Sequence, residues 1–282
     1  MRPSAPEGTF TLGGDLTVRR MGFGAMRLTG AGIWGDPPNH HECQAVLRRA
    51  VELGVGLIDT ADSYGPGVSE RIIAETLHPY PAGVVIATKG GLLRGGPDSW
   101  IPDCRPEHLR TALEGSLKVL RLERIDVYQL HTVDPKVPFA DSLGELRRLR
   151  DEGKIRHVAL SNVDVPRLEQ ARRIVPIVSV QNRYNLTERR SDPVVDYCER
   201  EGLGFLPWFP LGAGRVAQAG GPLARVAQRR GATPTQVALA WLLGRARCML
   251  PIPGTAKVRH LEENVAAAAL SLTDDDRREL EG

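Results

Sequence analysis

From Gly22 onward, short apolar runs rich in β-branched residues alternate eight times with longer amphipathic stretches. The runs end near Gly24 (RRMGFGAM), Asp59 (GVGLID), Lys89 (GVVIATK), His131 (IDVYQLH), Ser161 (IRHVALS), Gln181 (IVSVQ), Pro207 (LGFLP) and Pro251 (CMLP). Between them, Glu42–Leu53 carries apolar residues at Val46, Leu47, Ala50, Val51 and Leu53, a helical rather than an alternating spacing. Helices are predicted on the same grounds over Ser69–Leu77, Pro106–Leu120, Phe139–Glu152, Val165–Arg173, Val194–Glu201, Thr235–Gly244 and Lys257–Ala269, with a last one over Thr273–Leu280. Strands that alternate with helices pair in parallel, and eight such units close into a (β/α)8 TIM barrel. A hairpin over Thr9–Leu12 and Leu16–Val18, turning at Gly13-Gly14-Asp15, precedes the alternation.

A doubly wound open sheet is the competing architecture. It is disfavoured because Gly22-Phe23-Gly24-Ala25-Met26-Arg27 has arginine where a dinucleotide fingerprint needs its third glycine, and no phosphate-binding Walker sequence occurs. No Pro/Gly/Ser-rich linker divides the 282 residues, so residues 1–282 are expected to form one domain of α/β class.

Composition sets the function classes aside rather than choosing one. With 41% hydrophobic and 25% charged residues the chain is of ordinary globular make-up, and its apolar runs are far short of a membrane span. The net charge of +3 is scattered, which is no footprint for nucleic acid. Cys43, Cys104, Cys198 and Cys248 show no paired spacing, and the first residues lack the apolar core of a leader, so a cytoplasmic protein without disulfides or zinc is expected. No coiled-coil heptads are present, and a monomer is the default expectation.

Chemistry in such a barrel gathers where the strands end. The polar residues that close the apolar runs are Asp59, Lys89, His131, Ser161 with Asn162, and Gln181 with Asn182. Lys89 stands out as one of five lysines among 37 basic residues, and it follows a run expected to be buried. Taken alone it reads as a strand-end lysine reaching water by its stem. Asp59 and His131 end neighbouring runs in the same way, which favours a shared site. Asp59 would keep the lysine charged. Tyr64 lies five residues on, and a cation beside a phenol lowers its pKa from about 10, making a proton donor usable near neutrality. The plainer readings are a turn cap for Asp59, a packing tyrosine for Tyr64 and a core histidine for His131. The other six histidines have no metal-like spacing, so no metal is expected.

These segments resemble the aldo-keto reductases. IDTADSYG, IATKGG and YQLH look like that family's Asp, Tyr, Lys and His tetrad, here Asp59, Tyr64, Lys89 and His131. ALSN at 159–162, VQNRYNL from Val180, and IPGT with LEEN between Ile252 and Asn264 look like its cofactor-binding segments, so the likeness runs in order from about Gly22 to the C-terminal helix. The resemblance implies an NAD(P)H-dependent oxidoreductase that reduces an aldehyde or ketone, or runs the reverse. It places Ser161, Asn162 and Gln181 at the nicotinamide carboxamide and Trp208, opening Trp208-Phe209-Pro210-Leu211, on the ring. Leu211 and Gly212 fall near the pyrophosphate, and Thr255, Glu263 and Asn264 at the adenosine end. Gly254 and His260 stand where many NADPH-specific members carry lysine and arginine; Lys257 and Arg259 are near enough to replace them, and on charge NADPH is expected over NADH.

Substrate identity is less readable. Ile33 and Trp34, Leu92–Pro102 with Trp100, Val133–Phe139 and Phe209 fall in loops that would shape the pocket. No long loop follows Thr273–Leu280, and an open site is expected. Two other functions fit parts of the pattern: a lyase using Lys89 as a Schiff-base nucleophile, and a cofactor-bound redox sensor on the same fold.

Overall fold

A computed structural model describes residues 8–212 and 221–282; residues 1–7 of the N-terminal stretch, where no leader is expected, lie outside them. The N-terminal hairpin is β1 (Thr9–Leu12) with β2 (Leu16–Arg19). Then follow β3 (Phe23–Gly24), α1 (His40–Glu52), β4 (Leu57–Asp59), α2 (Val68–Leu77) and β5 (Val85–Gly90). A second hairpin, β6 (Leu92–Arg94) with β7 (Trp100–Pro102), interrupts the alternation before α3 (Pro106–Leu120). It resumes with β8 (Ile125–Leu130), α4 (Phe139–Asp151), β9 (Ile155–Ser161), α5 (Val165–Arg172), β10 (Ile177–Arg183), α6 (Asp192–Glu201) and β11 (Gly204–Trp208). Helices α7 (Pro222–Arg230), α8 (Pro234–Arg245), α9 (Val258–Ala266) and α10 (Asp274–Glu281) complete the chain. None of the described helices is long and apolar enough to cross a membrane.

Seven strands pair in parallel in the order β3-β4-β5-β8-β9-β10-β11. The eighth predicted run closes the ring without being a regular strand. On one side Phe205 N donates to Cys248 O and Leu250 N to Phe205 O, both at 2.8 Å; on the other Gly22 N donates to Pro251 O at 2.9 Å. Gly24 N reaches Pro253 O at 3.5 Å. Pro251 and Pro253 have no N–H to return, so half of that ladder is missing and only its acceptors remain.

Strand residues alternate between the barrel interior and the helical shell. Ile58, Ile86, Tyr128, Leu160 and Phe205 face the helices. Leu57, Val85, Ala87, Val127, Ala159, Val178, Leu206, Leu250 and Ile252 face inward, and Leu12, Leu16 and Val18 of the hairpin join them to plug the lower end. At the turn of that plug, Gly13 adopts φ +62°, and a Cβ there would lie 2.3 Å from the His157 ring. Asp15 fixes the turn through His157 Nε2 at 2.6 Å and Arg156 at 3.1 Å. The same alternation continued upward turns the inward positions polar at Asp59, Lys89, Gln129 and Ser161. Gln181 would face outward by strict alternation from Val178. A bulge between Ile177 and Val180 turns it inward.

Candidate active site

Lys89 is fully buried, and its three ammonium protons have three acceptors: Asp59 Oδ2 at 2.6 Å, Thr60 O at 2.8 Å and Tyr64 Oη at 3.3 Å. Burial alone would discharge it, but the Asp59 carboxylate and the Tyr64 oxygen outweigh that and raise its pKa. The other Asp59 oxygen accepts from Gln129 Nε2 and Gln181 Nε2, both at 2.8 Å. Both members of the pair thus have hydrogen-bond partners beyond each other, which is what lets an ion pair persist in a barrel interior. A lysine held protonated in this way has no lone pair for a Schiff base, which disfavours the lyase reading.

Tyr64 sits on a turn locked by Gly67 N to Asp62 O at 2.7 Å and Ser69 N to Tyr64 O at 3.1 Å. Because its oxygen accepts from Lys89, its own proton is free to donate away from the ion pair. The expected lowering of its pKa is not found. Burial pushes the phenol up, Lys89 pulls it down, and the Asp59 and Asp62 carboxylates add to the upward push, so the net direction is upward. The His131 ring meets Tyr64 edge-on with centroids 5.9 Å apart and reaches Ser63 Oγ through Nδ1 at 3.3 Å. Burial and the Lys89 charge hold its pKa well below the ordinary value, leaving it neutral. With Tyr64 and His131 only 6% and 8% exposed, the expected openness of the site does not extend to these groups.

The residues expected to meet a cofactor lie across the ends of β9, β10 and β11 and around α9. Ser161 is buried, and Asn162 follows it at φ +60°. The Asn162 amide donates to His131 O at 3.1 Å and Ser161 Oγ at 3.0 Å, and its oxygen accepts from Trp208 Nε1 at 3.0 Å. Gln181 has its amide nitrogen committed to Asp59 and to Gln129 Oε1. Phe209 takes φ +60° with its carbonyl held by Asn185 at 3.1 Å, and Pro210 and Gly212 are buried beyond it, with Leu211 half-buried between them. Gly254 crosses Gly24 so closely that a Cβ would stand 2.5 Å from the Gly24 carbonyl, a packing reason for glycine there. Thr255 and Asn264 are buried; Glu263 accepts from Thr233 Oγ1 at 2.6 Å. Lys257, Arg259 and His260 are exposed at the start of α9. Among the described residues, none of these three has a carboxylate within ion-pair distance.

Three participants were not singled out in the sequence. Gln129 sits two residues before His131 on the inward face of β8, so the strand period alone could have found it. Arg183 lies over Trp208 and Phe209, 5.7 and 4.9 Å from their centroids. Arg94 belongs to the β6–β7 hairpin. Among the described residues no group of His, Cys, Asp and Glu could hold a metal ion.

Residues 20–282 match the aldo/keto reductase family. A fission yeast (Schizosaccharomyces pombe) protein described as an uncharacterized oxidoreductase is 49% identical over 93% of this chain and 85% of its own. Pyridoxine 4-dehydrogenase of Escherichia coli is 42% identical over 97% of both chains. An aldo/keto reductase of Klebsiella pneumoniae, solved in complex with NADP and acetate, superposes with a TM-score of 0.83 over 98% of this chain and 95% of that one, at 25% identity. The chain belongs to the aldo/keto reductase family: it is an NAD(P)H-dependent oxidoreductase of carbonyls and alcohols on a (β/α)8 barrel.

Proposed function

We propose that this protein uses NADPH to reduce a ring-bearing aldehyde of the pyridoxal type to its alcohol, with Tyr64 as the general acid. The observation that carries the reading is the third proton of Lys89, which rests on Tyr64 Oη while Asp59 holds the ammonium in place. The pyridoxal class is supported by the 42% identity to pyridoxine 4-dehydrogenase along the whole chain.

The residues fit such a cofactor. Ser161 and Asn162 offer a hydroxyl and an amide at one side of the mouth, with the Trp208 ring fixed beside them by Asn162. Gln181 presents its remaining carbonyl below them. At the far end no described residue hydrogen-bonds the Asn264 side chain, and the unpaired Lys257, Arg259 and His260 would receive a 2′-phosphate. Bound NADPH supplies the hydride. The chain does the rest. His131, neutral, donates to the carbonyl oxygen and orients it; Tyr64 gives that oxygen its proton as negative charge develops. Lys89 stabilises the phenolate left behind, and Asp59, with Gln129 and Gln181, keeps Lys89 charged. Burial of the tetrad excludes water and strengthens each of these contacts.

Four buried, free cysteines fit a reducing compartment, and a cytoplasmic place is part of the same proposal. The test is NADPH oxidation followed with pyridoxal and a panel of aldehydes, ketones and quinones. Tyr64→Phe should cut turnover by about 10²–10⁴-fold while NADPH still binds. Undiminished turnover in that variant would remove Tyr64 from the mechanism.

A further inference from the structure

Arg94, at the end of β6, is a cation with no carboxylate at ion-pair distance among the described residues, although the charge of Asp98 is felt there. Its five N–H groups instead reach five backbone carbonyls. Nε donates to Ser99 O at 2.9 Å. Nη1 donates to Ile33 O at 2.7 Å and Ser63 O at 2.9 Å. Nη2 donates to Gly32 O at 2.9 Å and Gly96 O at 3.2 Å. These acceptors belong to three different loops: the one after β3, the one after β4 that carries Tyr64, and the β6–β7 turn.

The guanidinium plane is also stacked. Its carbon lies 3.8 Å from the Trp100 ring centroid and 5.7 Å from that of Trp34. Trp100 in turn meets Tyr64 edge-on at 6.4 Å and His131 at 6.3 Å. One arginine thereby connects the loop backbone to the indole that covers the acid and the imidazole.

An independent sign of a held conformation comes from the first loop. Ile33 adopts φ +56°, a region that β-branched residues avoid, directly after Gly32 at φ +64°. The carbonyls of these two residues are two of the five that Arg94 binds. The strain needs an external restraint, and Arg94 is placed to supply it. With all five donors committed, Arg94 has none left for a substrate carboxylate or phosphate, so its role is indirect.

We infer that Arg94 is a positioning residue that clamps three loops into one wall of the substrate pocket, and that the wall, through Trp100, selects flat ring-bearing carbonyls over small aliphatic ones. This rests on Tyr64 marking the reacting end of the pocket. Lysine cannot replace Arg94: an ammonium has three donors, no plane to stack and no fixed fork.

The experiment compares Arg94→Lys with the wild-type enzyme on pyridoxal and on propanal, both with NADPH. The KM for pyridoxal should rise by about tenfold or more with kcat little changed, because the wall misplaces a bound ring. The KM for propanal should move by less than about twofold, since it gains little from an indole face. Trp100→Leu should reproduce the pyridoxal loss. Hydrogen exchange read by mass spectrometry should quicken in Arg94→Lys by about tenfold in residues 30–36, 62–65 and 92–102, with the barrel strands unchanged. Equal losses of kcat on both aldehydes would overturn the inference by placing Arg94 in service of the acid itself. Unchanged exchange in the three loops would overturn the clamp. If the wild-type protein oxidises NADPH with neither aldehyde, the proposed activity fails, and the exchange experiment still decides the clamp.

Discussion

At the scale of single residues, the buried pair Asp59–Lys89 ties the proposed catalysis to stability. Lys89→Met removes the charge but not the volume, and it leaves Asp59 buried beside two amides with no cation. The folded state should lose about 3–5 kcal/mol, read as a lower midpoint in urea, together with turnover. Tyr64→Phe should cost about 1 kcal/mol, because only one hydrogen bond is lost. Equal stability losses in the two variants would contradict the network as described. The pH dependence has a definite shape. In the proposed mechanism Tyr64 acts in its protonated form, and its pKa is raised from 10.0, so the reduction rate should fall only above that value. The same mechanism uses His131 neutral, and its pKa lies well below 6.5, so the acid limb should fall below that value. A level kcat between pH 6.5 and 10, measured with NADPH saturating, is the expected outcome. A basic limb near neutrality would show that charge, not burial, dominates at Tyr64.

Among the elements, the start of α9 makes the cofactor preference testable. Lys257 and Arg259 have no carboxylate within ion-pair distance among the described residues, whereas Glu262 of the same α9 is paired with Arg49 of α1 at 2.7 Å. The double variant Lys257→Ala with Arg259→Ala should raise the KM for NADPH by about tenfold and leave that for NADH within about twofold, since only the former carries a 2′-phosphate. A parallel rise for both would place these side chains elsewhere than at the phosphate. Element boundaries were readable wherever a cap or a strong stripe marked them. Pro106–Leu120 is found at the predicted bounds. α6 begins two residues before the predicted Val194, because Pro193 sits in the first turn. α7 was missed: its stripe of Leu223, Val226 and Ala227 is a single turn wide, although Gly231 marks its end. The β6–β7 hairpin was missed as well, since three-residue strands exposed to solvent carry no alternation to detect.

Across the whole molecule, the chain's end is fastened back on the barrel by Asp276. Its carboxylate is 1% exposed and accepts from Arg229 at 2.8 Å and Arg230 at 2.6 Å, while also closing the capping box of α10 with Thr273. Burial opposes its ionisation, but the hydrogen bonds of Arg229, the Thr273 backbone and Arg230 win and hold the pKa below 3.8. A depressed carboxyl stabilises the fold above its unfolded pKa and ceases to do so as pH falls through the folded one. Asp276→Asn should therefore cost about 1–3 kcal/mol at pH 7, and the gap from wild type should narrow by pH 3. A gap that stays constant with pH would assign the loss to packing alone.

Sequence by itself determined the alternation, and through it the barrel, because strand and helix periods are local properties of neighbouring residues. It determined Asp59, Lys89 and His131 as neighbours for the same reason: each ends a run, and parallel strands bring their ends to one face. What only the tertiary structure decided are the matters that depend on distance across the chain. The sign of the Tyr64 shift turns on how deeply the phenol is buried, which no spacing records. Gln181 faces Asp59 because a bulge displaces the register of β10. Arg94 reaches Gly32, Ile33 and Ser63 because three loops far apart in sequence converge over one barrel mouth. Hydrogen-bond geometry and desolvation are properties of packed atoms, and they appear only when the chain has closed on itself.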